Sequence, residues 1–299
     1  MRWTVFVAIA LALPCMAAEW WEEELQAQEA VEEGTPVQAC AGKVLWTQGF
    51  IEVVGEAACD MDEALSEGHC YVMARRAAIV LAQEKLSETV NGIVVDGETL
   101  LRNELLSSST LRTTMRGLVK GAQVVHEDRV TLPDGSILAR VWMQLPLRGE
   151  GGLAAPILEH AAQLSAQRPV PAFSFDKAPP AEPFTGIIVN ASGLQAVPAM
   201  APRLLVLKEL TAALSVEHVE LATAQEIGLV EYAGSVDDAR ALGARIGSNP
   251  LVLKAESSHG ATKSDLVISA QEGTRLAAGD PEGTLVRACK VVFAGHQFI

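Results

Sequence analysis

The residues of this chain best suited to chemistry are its cysteines and histidines, and their spacing limits what that chemistry can be. Cys59 and Cys70 flank an acidic stretch, with His69 beside the second cysteine. The two thiols are close enough in sequence to bridge, and closing a loop of this size contributes about 3 kcal/mol in the chain-entropy picture. Together with His69 they could instead offer zinc three ligands, although a disulfide or two free thiols explains the same residues more cheaply. Cys59 and Cys70 are therefore the expected disulfide, and no metal or cofactor site is foreseen. Cys40 and Cys289 complete a set of four once Cys15 is removed with a leader. Four cysteines allow three full pairings, and unpaired buried thiols are the alternative.

The six histidines, His69, His126, His160, His218, His259 and His296, show no metal-ligand spacing such as two on one helical face. There is no Gly-x-Ser-x-Gly elbow and no phosphate-cradling glycine loop followed by Lys-Ser or Lys-Thr. No catalytic residue is named on this reading, and the chain is expected not to be an enzyme. A hydrolase would need its nucleophile, base and orienting acid gathered from distant positions. Arg75 and Arg76 adjoin on a helical stretch, where paired arginines read as the solvated edge. Asn190-Ala191-Ser192 fits a glycosylation acceptor, but tight-turn chemistry is the better account.

The compartment is legible at the N-terminus. Arg2, the apolar run 5–13, Pro14 and the small residues Ala17 and Ala18 have the order of a cleavable export signal over residues 1–18. A run of about nine apolar residues falls short of the roughly 20 needed to span a bilayer. Acylation at Cys15 wants Leu three positions earlier and a small residue just before. Ala12 and Pro14 stand there, so soluble export to the periplasm or medium is expected over a lipid anchor at Cys15. With 37 acidic and 23 basic residues the net charge is −14, a surface that repels phosphate backbones and argues against nucleic-acid partners. Hydrophobic residues at 49% against charged residues at 20% are globular proportions, and 299 residues suffice for two domains.

Several elements must position these residues. Residues 19–42 are acidic, and 43–54 read as a strand with a bulge at Gly49. In the stretch 71–90, Val72, Ile79, Ala82, Leu86 and Val90 recur at helical spacing, ending at Asn91 and Gly92. A short strand at 93–95 and a partly helical 100–118 follow. Residues 121–132 then turn through Pro133, Asp134 and Gly135 into the alternating Ile137, Ala139, Val141, Met143 and Leu145, a hairpin. Residues 149–183 hold Gly149, Gly151 and Gly152, a short helical stretch after Pro156 and five further prolines, which reads as a linker. Beyond it, strands are expected at 185–189, 203–207, 251–254, 266–268 and 286–293. Helices are expected after Ser235, with Asp237 and Asp238 in the first turn, and after the capping-box pair Ser269 and Glu272. The fold class is thus α+β: two small domains, 43–148 and 184–299, each a mainly antiparallel sheet packed by helices.

The first of these resembles a known family. The strand between Gly49 and Gly55, the helix with Ala74, Arg75, Arg76, Ala77 and Ala78, its exit through Val90, Asn91 and Gly92, and the strand pair around Gly121 and Asp134-Gly135 are similar to the LPP-twenty lipoproteins. They also resemble the N-terminal domain of the flagellar assembly protein FlgT. The second half is similar to domains that follow this module in bacterial envelope proteins. The resemblance implies a non-enzymatic envelope protein that assembles or interacts with other envelope proteins. A periplasmic hydrolase with a dispersed site, or a small-ligand or lipid-binding module, is the alternative.

Overall fold

The computed structural model describes residues 42–60, 66–167, 171–174, 184–207 and 210–298. The export signal 1–18, Cys15, Cys40 and nearly all of the acidic segment 19–42 lie outside the described residues. Two compact units are formed. One draws on Val53–Lys85 and Val124–Met143, the other on Val44–Glu52, Leu86–Gln123 and Gln144–Ile299.

The N-terminal sheet is four-stranded and antiparallel, in the order β1 (Lys43–Leu45), β2 (Phe50–Cys59), β4 (Ile137–Pro146), β3 (Gln123–Thr131). Residues 46–49 form a turn, with Gly49 at φ +83°, so the strand expected over 43–54 is two strands. The β3–β4 hairpin closes as its turn chemistry requires. Leu132 N–H donates to Ser136 O and Gly135 N–H to Leu132 O, both at 2.9 Å, and Gly135 takes φ +85°. Helix α1 (Glu67–Asn91) has Cys70, Ala74, Ala78, Ala82, Leu86 and Val90 buried, a row at four-residue steps. It is followed by α2 (Leu101–Ser107) and α3 (Ser109–Lys120), the latter capped by Ser108, whose hydroxyl accepts from Leu111 N–H. The strand expected at 93–95 is a single bridge between Val94 and Leu100.

Within 149–183, the expected linker, α4 (Ala154–Gln167) buries Ala154, Ile157, Leu158 and Ala161. Pro156 sits in its first turn, where a missing N–H costs nothing.

The second sheet corrects one part of the expectation. Its seven strands are β5 (Gly186–Asn190), β6 (Leu204–Val206), β7 (Thr211–Leu214), β8 (Glu231–Ala233), β9 (Pro250–His259), β10 (Asp265–Ile268) and β11 (Val291–Ala294), in the order β7-β6-β10-β9-β5-β11-β8. β9, β5, β11 and β8 run parallel, as do β10 and β6, and only β10–β9 and β6–β7 are antiparallel. This sheet is therefore mixed and mainly parallel, not mainly antiparallel. The reason lies in the connections: α6 (Val236–Ala241) and α7 (Gly243–Ile246) carry the chain from β8 across to its parallel partner group at β9, a crossover no hairpin could make. α5 (Leu221–Ile227) precedes β8, while α8 (Ala270–Gly279) and α9 (Thr284–Arg287) separate β10 from β11. The strand expected over 286–293 thus starts at Val291, because residues 284–287 are helical. Ile188, Ala233, Ala239, Ile246, Val292 and Ala294 form one core cluster of this sheet.

Candidate interaction surface

In the first unit the small residues of α1 allow a close approach to the sheet. A Cβ at Gly55 would stand 2.7 Å from Ala82 N and 2.8 Å from Ala82 Cβ, so only glycine fits opposite the alanine stripe. Lys85 Nζ donates to Val54 O at 2.7 Å. A disulfide joins Cys59 at the end of β2 to Cys70 in the first turns of α1, Cα atoms 5.5 Å apart. It ties the helix start to the strand below it. His69, the third ligand of the zinc reading, is exposed beside this bridge.

Polar contacts fasten α1 to β3. Arg75 Nε donates to Glu127 Oε2 at 2.6 Å while Nη2 reaches Oε1, a two-pronged pair, and the Tyr71 hydroxyl lies 3.4 Å from Oε2. Arg129 pairs with Glu67 and lies over the Tyr71 ring, 5.4 Å from its centroid. Arg75 holds the Glu127 carboxyl below its ordinary range by hydrogen bonding. Arg75 is therefore a positioned side chain and not the free solvated edge expected of it; Arg76 is exposed. On the opposite face of β3, His126 packs against Trp142, ring centroids 4.7 Å apart.

With its alanine stripe turned inward, α1 turns larger apolar residues outward. Val72 is 62% exposed, Met73 56%, Val80 48% and Leu81 41%. Spacings of one, seven and eight residues bring Met73 and Val80 together at the centre of the outward half of the helix, with Val72 and Leu81, nine residues apart, at its two margins. Val72 was expected in the core. The core instead takes Ala74 and Ala78, because their small side chains let the helix backbone come down onto Gly55. β3 shares this exposed character, with Val124 and Val125 36% and 47% accessible at the end of the sheet order.

The second unit holds buried polar groups that find partners within it, except that Arg245 Nε has none among the described residues. Asp265 accepts from Arg203 N–H at 2.9 Å, Gly97 N–H at 3.2 Å and Arg203 Nε at 2.7 Å. Burial raises the Asp265 carboxyl against the guanidinium and amides that favour its ionised form. The Tyr232 hydroxyl accepts from Ala199 N–H at 2.8 Å and donates to Ala199 O at 2.9 Å, and burial pushes the phenol above its ordinary range. Arg245 donates to Ile227 O and Gly228 O at 2.6 and 2.7 Å; burial lowers it to about 10, which leaves it charged at neutral pH. Cys289 is a buried free thiol, raised to about 11 by burial, and so poorly suited to nucleophilic work.

Two arrangements in this unit bear on enzyme chemistry. Ser215 Oγ lies 2.9 Å from His218 Nδ1. The two residues are joined by a turn in which His218 N–H donates to Ser215 O, and Ser215 is only 5% exposed. This is local turn bonding around an enclosed hydroxyl. His160 Nε2 lies 2.7 Å from Glu104 Oε2 and links α4 to α2. Asn190 Oδ1 accepts from Ser192 N–H at 3.0 Å, the tight-turn geometry expected for Asn190-Ala191-Ser192. A cavity of about 30 Å³ lined by Trp46, Arg148, Met200, Val230 and Tyr232 has room for water, well below the roughly 300 Å³ of a small-molecule pocket. Among the described residues no group of three or more His, Cys, Asp or Glu converges as metal ligands, and no helix is long and apolar enough to cross a membrane.

Sequence reasoning missed β7, α5 and β8, and it missed the outward face of α1. A signal for that face was present: the Ala74, Ala78, Ala82 spacing marks a close-packed side and leaves Val72, Met73, Val80 and Leu81 opposite. Residues 186–296 match a family model described as Treponema pallidum Tp0624, second domain. The match runs from the first residue of β5 to just past β11 and takes in all seven strands of the mixed sheet. No curated protein matches the chain.

Proposed function

We propose that this is an exported, non-enzymatic cell-envelope protein that works as an assembly or interaction module, docking a partner envelope protein on the outward face of α1. The exposed stripe of Val72, Met73, Val80 and Leu81 carries the reading. Apolar side chains exposed across the outward half of a helix cost free energy in water and recover it when a complementary apolar surface covers them. Arg76 lies between Val72 and Val80 on this surface and Glu84 one turn beyond Val80, which suits a protein partner whose apolar surface carries polar groups of its own. The resemblance of residues 43–148 to LPP-twenty and FlgT-type modules supports the same reading, and the Cys59–Cys70 disulfide is compatible with an oxidising compartment.

A photo-crosslinking amino acid placed at Met73 in cells of the native host tests it. The expected result is a discrete adduct that disappears when Val80 and Leu81 are both changed to Glu, and that is absent with the probe at exposed Lys120 or Glu256. Equal adducts from all three positions, or an adduct indifferent to the double substitution, would count against the α1 face.

A further inference from the structure

β3 ends its sheet among the described residues, and the backbone groups on its outer side follow from the hairpin register. Leu132 and Ser136 are bonded across the turn, and His126 packs on Trp142, the position that the same register places opposite it. Hydrogen-bonding direction alternates along an antiparallel strand, so the N–H and C=O groups of Val125, Glu127 and Arg129 point away from β4. The bond from Arg129 N–H to its neighbour's Asp128 Oδ1, at 2.7 Å, agrees with that direction.

We infer that β3 pairs antiparallel with β3 of a second copy of this chain, about a two-fold axis at Glu127. The sequence Val124-Val125-His126-Glu127-Asp128-Arg129-Val130 is complementary to its own reverse. About that axis, Val124 meets Val130 of the second copy, Val125 meets the stem of Arg129, and His126 meets Asp128, an acid–base pair repeated by symmetry. The hydrogen-bonding phase agrees with this centre, because Val125, Glu127 and Arg129 are the outward-facing residues and each meets another outward-facing one. The like pair Glu127–Glu127 on the axis is neutralised, since each carboxylate is held by its own Arg75. Asp128 moves from capping Arg129 N–H in the free edge to His126 of the second copy, which releases that amide for the interchain ladder. A continuous sheet with about six new backbone hydrogen bonds results. The inference concerns the strand edge and stands independently of the partner proposed for the α1 face.

Sedimentation velocity of the purified chain over a range of concentrations is expected to show a monomer–dimer equilibrium. Val125→Pro removes an outward N–H that β4 does not use, so the fold persists while the dimer association constant falls about thirtyfold. Register is read separately with Val125→Cys and Arg129→Cys. Mixed in equal amounts and oxidised with diamide, they should yield a disulfide-linked dimer, whereas each alone should yield no more than the unsubstituted chain. A monomer at every concentration overturns the inference. A dimer unaffected by Val125→Pro, or a mixture that cross-links no better than either variant alone, places any association elsewhere and overturns it equally.

Discussion

Replacing Asp265 by Ala probes how the second unit is held together. The carboxylate is fully buried and accepts from two backbone N–H groups as well as from the Arg203 guanidinium, itself only 20% exposed. Removing one member of a buried ion pair costs roughly 3–5 kcal/mol, and each stranded buried N–H roughly 1–3 kcal/mol. These figures overlap, since the same two oxygens serve all three donors, and the expected loss is about 4 kcal/mol. Asp265→Asn keeps an oxygen for the two amides and gives up only the charge, so about 2 kcal/mol is expected. At roughly 2–4 °C per kcal/mol for a unit of this size, Ala should lower Tm by about 8–16 °C and Asn by about half as much. Urea unfolding followed by circular dichroism, alongside thermal melts, measures both. A loss under about 1 kcal/mol for Ala, or equal losses for Ala and Asn, would refute the assignment of Asp265 as a shared acceptor for Gly97 and Arg203.

Other expectations follow from the same contacts. Cys59→Ser with Cys70→Ser should cost the first unit about 3 kcal/mol, seen as a lower urea midpoint that dithiothreitol no longer shifts. Gly55→Ala should cost about 3 kcal/mol because a methyl group there overlaps the α1 backbone at Ala82; hydrogen exchange should quicken in α1 and leave α4 unchanged. The Glu127 carboxyl is depressed by Arg75, so the pair's contribution is present above the unfolded carboxyl's value near 4.5 and is lost as pH falls through the lower folded value. Because both side chains are partly exposed, Glu127→Gln should lower stability at neutral pH by at most about 1 kcal/mol, and the deficit should vanish in melts well below pH 4.

Much of the local structure was legible from residue types. The turn at Pro133-Asp134-Gly135, the helix stop at Asn91-Gly92, and the caps at Ser235 and Ser269 rest on backbone bonding between near neighbours. The structure has Ser235 Oγ accepting from Asp238 N–H and Ser269 Oγ from Glu272 N–H. Less legible was anything that depended on which face a helix turned inward. α1 carries apolar residues nearly all round, and hydrophobic periodicity alone could not separate the alanine face from the Met73 and Val80 face. Strand direction was equally hidden, although Ile187-Ile188-Val189 and Val291-Val292-Phe293-Ala294 are continuous apolar runs and not alternating ones, the pattern of strands buried on both sides in a parallel sheet.

By itself the sequence determined the α+β class, the hairpin, the helix ends and the pairing expected of Cys59 with Cys70, because each depends on groups a few residues apart or on composition. Only the tertiary structure decided that Asp265 meets Gly97 and Arg203, that Arg75 is fastened to Glu127, and that α1 shows its larger apolar residues to solvent. The first two join residues separated by 52 to 168 positions, and the third rests on Gly55 against Ala82. They are fixed by close packing of small side chains and by the need of buried polar groups for partners, which no local pattern records.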